Sequence, residues 1–306
     1  MGARPRGLFV GLTTLDTAYR VAALPGPNAK ISALSQELAA GGPAANAAVT
    51  FAGLGGRAEL ITALGGHVLA RYAAAELGRR GVDVRDAAPA GDPEPAVSSI
   101  YVVDSTGDRS VVSVNGAGVS PPAPAELPVA GAGMVLVDGH HPELALAAAK
   151  AARKAGVTVV LDGGSWKPVL DALLPLVDVA VCSADFRSPG AATSEESAAA
   201  LLRRGVPSVA VTRGADPVRW WWGSKSGEVQ VPRVAVRDTL GAGDVFHGAF
   251  GYAVAASRGI GLPAALAFAA EVAAVRCGVA GLRAWLAEPA LGQLVGALSP
   301  DREERP

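Results

Sequence analysis

The sequence predicts an α/β fold: a three-layer α/β/α sandwich on a mainly parallel central sheet, with a small inserted β-sheet acting as a lid. Three observations predict it. Short β-branched runs alternate with longer Ala/Leu segments through the middle of the chain, which is the pattern of strand and crossover helix. The rhythm breaks in two places, where apolar runs are joined by turns with no helix between them. Half of the 306 residues are hydrophobic and only 18% are charged, enough apolar material for one large core and an appendage.

Taken in order, the core strands are expected at Leu8–Leu12, Glu59–Thr62, Met134–Val137, Val157–Leu161, Val179–Cys182 and Ser208–Thr212. The helices between and after them are expected at Ala44–Leu54, Leu69–Arg80, Pro142–Ala155, Pro168–Leu174, Glu195–Arg204 and Ala242–Ala256. Val97–Val103 and Arg109–Val114 flank Asp104-Ser105-Thr106-Gly107-Asp108, whose Gly and Asp residues suit a tight turn, so this pair reads as a hairpin. Ala18–Leu24 and Ile31–Leu38 flank Pro25-Gly26-Pro27-Asn28 and are expected to add antiparallel strands to the same small sheet. The lid strands thus come from about 17–38 and 96–115, within a single domain spanning 1–306. Pro121–Pro128 reads as an extended connection, Ser299–Pro306 as a frayed charged end, and no internal repeat is found.

Composition also excludes function classes. The 27 Lys and Arg nearly balance the 28 Asp and Glu, and no basic run is long enough to follow a phosphate backbone, which argues against nucleic acid. Cys182 and Cys277 lie in apolar surroundings and read as buried reduced thiols, which suits the cytoplasm. The basic start at Met1–Arg6 leads into a strand-like run that stops at Asp16, so no signal peptide is expected. No uninterrupted apolar stretch reaches the roughly 18 residues of a membrane span.

The densest chemical signal is Asp238-Thr239-Leu240-Gly241-Ala242-Gly243-Asp244, followed at once by the apolar helix Val245–Ala256. Small residues at 241–243 let the backbone approach a ligand, and the N–H groups of a helix's first turn attract anions. A carboxylate there would repel a phosphate unless its task is to take a proton from an attacking hydroxyl. Taken alone, the same residues also suit a tight turn and an acidic helix cap.

That heptapeptide resembles the C-terminal signature of the ribokinase (PfkB) family of carbohydrate kinases. Gly41-Gly42-Pro43-Ala44-Ala45-Asn46, followed by Leu54-Gly55-Gly56, resembles the family's N-terminal sugar-site signature, and the likeness runs from about Leu8 to Leu294. Gly-Gly-Pro-Ala-Ala, Leu161-Asp162-Gly163 and Asp244-Val245-Phe246-His247-Gly248 are most similar to the ketohexokinase and sulfofructose kinase branches. The resemblance implies an ATP-dependent phosphotransferase acting on a hydroxyl of a small sugar, a ketose or modified sugar first.

Residue by residue, it implies Asp244 as catalytic base, with Gly241, Ala242 and Gly243 forming the anion hole. Asp16, Gly41, Gly42 and Asn46 would hold the sugar, with Asp16 at the end of the first strand. Arg109, after the hairpin turn, would pair with a phosphate or sugar oxygen. Thr212 and Gly214 of Thr212-Arg213-Gly214-Ala215 would approach the ATP phosphates. Asp238 and carbonyls around Ala273 and Gly278 correspond to a monovalent cation site, often for K+. The Asn-x-x-Glu motif of many relatives, which helps organise Mg2+, is replaced by Val181-Cys182-Ser183-Ala184-Asp185-Phe186, leaving Asp185 for the acidic role. Lids of this type often pair between subunits, implying a homodimer.

Other residues invite weaker readings. Adjacent His140 and His141 cannot readily aim at one ion; a place at a strand end near the sugar pocket suits them better. Alternation along a strand would send Trp221 to the face opposite Trp220 and Trp222. His247 either borders the active site or is a satisfied core histidine. The rivals are a nucleoside kinase on the same fold and a non-catalytic sugar or nucleotide sensor. A nicotinamide dehydrogenase and a P-loop enzyme are disfavoured by the missing glycine motifs.

Overall fold

The computed structural model describes residues 4–88, 94–114, 116, 121–257 and 259–298. In chain order its strands are β1 (Arg6–Val10), β2 (Thr14–Val21), β3 (Ser35–Gly41), β4 (Arg57–Thr62), β5 (Val82–Asp86), β6 (Val97–Val103), β7 (Arg109–Ser113), β8 (Met134–Val137), β9 (Thr158–Gly163), β10 (Val179–Ser183), β11 (Ser208–Arg213), β12 (Asp216–Trp222) and β13 (Lys225–Val229). Its α-helices are α1 (Pro43–Gly53), α2 (Val68–Arg79), α3 (Pro142–Ala155), α4 (Leu170–Leu173), α5 (Ser194–Arg203), α6 (Ala242–Ala256), α7 (Leu262–Cys277) and α8 (Pro289–Leu298).

Nine strands form the large sheet in the order β13-β12-β11-β10-β9-β8-β1-β4-β5. From β11 to β5 every pairing is parallel, and β12 and β13 close one edge antiparallel. Sheets of this kind are covered on both faces, so their strands are apolar at successive positions and divide their side chains between two cores. Phe9, Leu136, Val160, Val181 and Ala210 point into the core that holds α1, α6 and α7. Leu8, Val135, Val159, Cys182 and Val209 point into the core filled by α3, α4 and α5. Trp220 joins the first core and Trp221 the second, as alternation along β12 requires.

The small sheet runs β3-β2-β6-β7. Its outer pairings are antiparallel, but β2 and β6 are parallel, because β2 enters directly from the core and β6 returns after two core strands and two helices. This corrects the expected positions: the strands lie at Thr14–Val21 and Ser35–Gly41, not Ala18–Leu24 and Ile31–Leu38. Asp16 therefore belongs to β2 of the small sheet instead of ending the first core strand, and it pairs with Ala39 and Ser98. A tight connection at residues 11–13 makes this possible, held where Leu12 N donates to Asp138 Oδ2 at 2.8 Å.

Several elements were not expected. β5 has two apolar residues in five, and α7 is buried along much of its length, so neither shows a clear period. The segment expected as helix Pro168–Leu174 is one α-turn followed by a 3-10 turn, with Pro175 inside the latter. The charged end Ser299–Pro306 lies outside the described residues.

Candidate active site

Two glycine turns and two helix N-termini meet at the junction of the sheets. Gly42 caps α1 at φ 92°, with Pro43 preset for the first helical turn, and a Cβ there would stand 2.5 Å from the Leu12 carbonyl oxygen. Gly241 caps α6 in the left-handed region at φ 71°. Both turns need glycine. The first-turn N–H groups of α6 at Gly243 and Asp244 have no partner inside the helix and suit an anion, whereas that of Ala242, expected to join them, donates to the Thr239 carbonyl at 3.2 Å.

Asn46 in α1 and Asp244 in α6 are brought together across this junction. Asn46 Nδ2 donates to Asp244 Oδ2 at 2.7 Å, and a Cβ on Gly241 would lie within 4 Å of both atoms. Burial pushes the Asp244 carboxyl up to about 7, and the nearby Asp162 charge adds to the rise; the Asn46 hydrogen bond and His247 oppose it. A carboxylate tuned near neutrality is suited to taking a proton.

Asp16 shares a cleft with Asn46, Gly241, Val245, Arg283 and Trp285. Burial raises its pKa, while Thr14 (Oγ1 to Oδ1, 2.6 Å), Ser98 and Arg283 counter that rise. Gly41 lies against it: a Cβ at 41 would occupy the carboxylate itself, 1.9 Å from Oδ2. Thus Asp16, Gly41, Gly42, Asn46, Gly241 and Asp244, which the sequence places far apart, line one site.

Arg109 is placed otherwise. Its Nη1 donates to Thr239 Oγ1 at 2.6 Å, so it ties the hairpin to the signature loop. The small sheet rests on that loop: Ala18, Ile100 and Val102 pack with Leu240 and Leu282, and Leu282 N donates to Glu37 Oε2 at 2.9 Å.

Thr212, Gly214 and Asp185 lie together at the ends of β10 and β11. Thr212 is the register partner of Ser183 and its Oγ1 donates to the Cys182 carbonyl at 3.4 Å. Gly214 turns at φ 62° with open space where a side chain would stand, and Asp185 is exposed two residues beyond β10.

The residues at the candidate monovalent cation site do not fit a cation. Asp238 Oδ1 accepts from Leu240 N at 2.9 Å; Oδ2 accepts from Gly281 N at 3.2 Å and faces Arg276 Nη2 at 3.2 Å and Arg20 Nη2 at 3.5 Å. Arg276, fully buried, also donates to the Val279 carbonyl at 2.9 Å. Guanidinium charge already balances this carboxylate. Ala273 lies within α7 and packs against the core, and Gly278 caps that helix with its N–H on the Ala274 carbonyl. Among the described residues, no group of three or more His, Cys, Asp and Glu side chains is arranged to hold a metal, and no helix is long and apolar enough to cross a membrane.

Two contributors escaped sequence reasoning. Arg283 Nη1 donates to Asn46 Oδ1 at 3.0 Å, which fixes the amide so that its nitrogen faces Asp244. Nothing in Gly281-Leu282-Arg283-Ala284-Trp285 signals that role. Asp162, at the end of β9, is buried near Asp244 and His247; the motif Leu161-Asp162-Gly163 pointed to the segment but not to this role.

A buried carboxylate raised toward neutrality stands beside a glycine-capped helix end with a small sheet seated over it, an arrangement suited to a small-molecule kinase. The chain belongs to the pfkB family of carbohydrate kinases, whose model matches residues 7–288. It is 30% identical over 290 residues to a ribokinase of Arabidopsis thaliana, covering 89% of this chain and 76% of that protein. An ATP-dependent ribose-1-phosphate kinase of Halopiger xanaduensis is 30% identical over 256 residues, covering 80% and 83%. The structure of the Arabidopsis thaliana ribokinase complexed with ribose and ATP superposes with TM-score 0.76 at 26% identity, over 97% of this chain and 99% of that one. The chain is a ribokinase-like, ATP-using sugar kinase, a phosphotransferase with an alcohol acceptor.

Proposed function

We propose that this kinase transfers the γ-phosphoryl group of ATP to a hydroxyl of a small sugar, a ketose or modified sugar, with Asp244 as base. The observation that carries the reading is the Asn46–Asp244 hydrogen bond at the glycine-capped end of α6. Ribose is a second reading, favoured by the relatives named ribokinase and ribose-1-phosphate kinase.

Asp16 and Asn46 orient the acceptor by hydrogen bonds to its hydroxyls. Asp244 takes the proton as the hydroxyl oxygen bonds to the γ-phosphorus, and the bond from that phosphorus to the β–γ bridging oxygen breaks, releasing ADP. The N–H groups of Gly243 and Asp244 face the charge on the transferred group, already oriented before the reaction, and Ala242, tied to the Thr239 carbonyl, holds the turn that presents them. Thr212 and Gly214 receive the nucleotide phosphates. Asp185, the acidic side chain at that edge, would hold Mg2+ brought in with ATP, which would supply neutralisation of phosphate charge. The small sheet, seated on the signature loop, excludes water and limits ATP hydrolysis. No step requires K+.

The reading is tested by coupled ADP release with Mg-ATP against a panel of ketoses, ribose, ribose 1-phosphate, sulfonated sugars and nucleosides. Turnover on one sugar that is lost in Asp244→Asn supports it. Turnover on nucleosides alone would move the chain to the nucleoside kinases.

The acid limb of kcat/KM for the preferred sugar is expected near pH 7, since only the ionised base accepts the proton. Stability runs the opposite way. With its folded value raised above the ordinary 3.8, Asp244 keeps a proton that the unfolded chain has released, so its contribution to stability falls as pH rises from about 4 to about 7. A limb found near pH 4 would remove Asp244 as the titrating base.

The outer face of the small sheet supports a homodimer. Leu38, Thr17, Ser99 and Val112 form one cross-strand row, and Tyr19 stacks on Tyr101 in the next, 5.9 Å between rings. Val112 is 68% exposed, a cost that pairing of two such faces would remove. Light scattering is expected to give twice the chain's 30.6 kDa, and Val112→Glu to halve the measured mass. A wild-type monomer at assay concentration would exclude this assembly.

A further inference from the structure

His247, one turn into α6, is 5% exposed, and both of its ring nitrogens face backbone carbonyl oxygens. Nδ1 is 2.8 Å from the oxygen of Gly243 and Nε2 is 3.0 Å from that of Val181. A carbonyl oxygen only accepts, whereas a neutral imidazole has one N–H and one lone pair. In the neutral form one of these contacts would set lone pair against lone pair inside the core. With both nitrogens protonated, both contacts become hydrogen bonds. The compensating charge is in place: Asp162 Oδ2 lies 3.4 Å from Nδ1 and has no hydrogen-bond partner of its own.

We propose that His247 is a standing imidazolium that, paired with Asp162, forms a buried ion pair joining the first turn of α6 to the ends of β9 and β10. It is a positioning residue. Its two hydrogen bonds hold the Gly243 carbonyl, and with it the anion-binding turn, against β10, at whose end Asp185 and the register partner of Thr212 lie. Its charge also offsets Asp162, which otherwise disfavours ionisation of Asp244.

The charged groups around it come from each packed element. Asp244 lies on α6 itself and is held by Asn46 of α1; Asp162 ends β9; and β10 contributes the Val181 carbonyl. Burial raises the Asp162 pKa and the His247 charge is the largest influence opposing it; behind Asp162, Asp138 adds repulsion while Lys167 and His140 add attraction. Burial alone would expel the imidazolium proton, but Asp162, the two carbonyls and Asp244 together raise the His247 pKa above its usual value.

The kinetic consequence rests on Asp244 being the base; the protonation state does not. The first test is therefore nitrogen NMR of the wild-type chain labelled at histidine, with His247→Asn used to assign the signal. Both ring nitrogens are expected to keep imidazolium shifts through pH 8. A single neutral tautomer at that pH overturns the proposal whether or not any sugar is turned over.

The second test follows the acid limb of kcat/KM. His247→Asn removes the cation and should move the limb up by about one pH unit, about tenfold in activity below it. Asp162→Asn removes the anion and should move it down. A purely structural histidine would lower activity equally across pH, and limbs that stay in place in both variants would sink the charge-setting role.

Discussion

Asp244→Asn is expected to lower kcat by about a thousandfold, within the usual range for losing a positioned general base, while KM for the sugar changes little. The substitution keeps the shape of the side chain, and its amide oxygen can still accept from Asn46 Nδ2 where Oδ2 now does. What disappears is proton acceptance. Because burial and Asp162 both disfavour the anion at this position, the neutral amide should leave thermal stability unchanged or slightly raised at neutral pH. Loss of turnover with retained or increased Tm identifies a chemical role. Wild-type turnover in this variant would refute the assignment.

Gly248→Val should produce the largest loss of stability. Gly248 faces α1 where the two helices cross, and a Cβ there would stand 2.3 Å from the Ala47 carbonyl oxygen and 2.7 Å from Thr50 Cβ. Neither neighbour can move without shifting the helix. The alanines at 44, 45, 47 and 48, all buried, allow this close approach. Forcing a branched side chain into it should cost about 3 kcal/mol, toward the upper end for overpacking. The same wedge separates Asn46 on α1 from Asp244 on α6, so the folded fraction should also lose about a hundredfold in kcat. An unchanged denaturation midpoint would mean that the helices do not meet at this distance.

The parallel core was legible because each strand is a short β-branched run followed by a helix, and alternation then assigns its side chains to one core or the other. Strand limits near the small sheet were less legible. Pro25 and Pro27 mark the loop between β2 and β3, but the residues that pair across it depend on where β6 returns, which no local pattern carries. α7 escaped notice because its apolar residues are not confined to one stripe.

The candidate site divides the same way. Gly42 and Gly241 announce themselves, since a left-handed cap before a helix is a local demand on the backbone that glycine meets at least cost. Arg283 and Asp162 do not, because an arginine in a loop or an aspartate at a strand end carries no mark of its distant partner. Asp238 shows the opposite error: its place in a known motif suggested a cation ligand, yet buried Arg276 faces it.

By itself, then, the sequence determined the alternation of strand and helix, the two glycine-capped helix ends and the carboxylate at the second of them, because each depends on backbone preferences over a few adjacent residues. Only the tertiary structure decided that Asn46 touches Asp244 across 198 positions, that Arg283 orients that amide, and that His247 bridges Gly243 and Val181. Those contacts arise where separate elements converge, and their geometry is set by packing of the whole core.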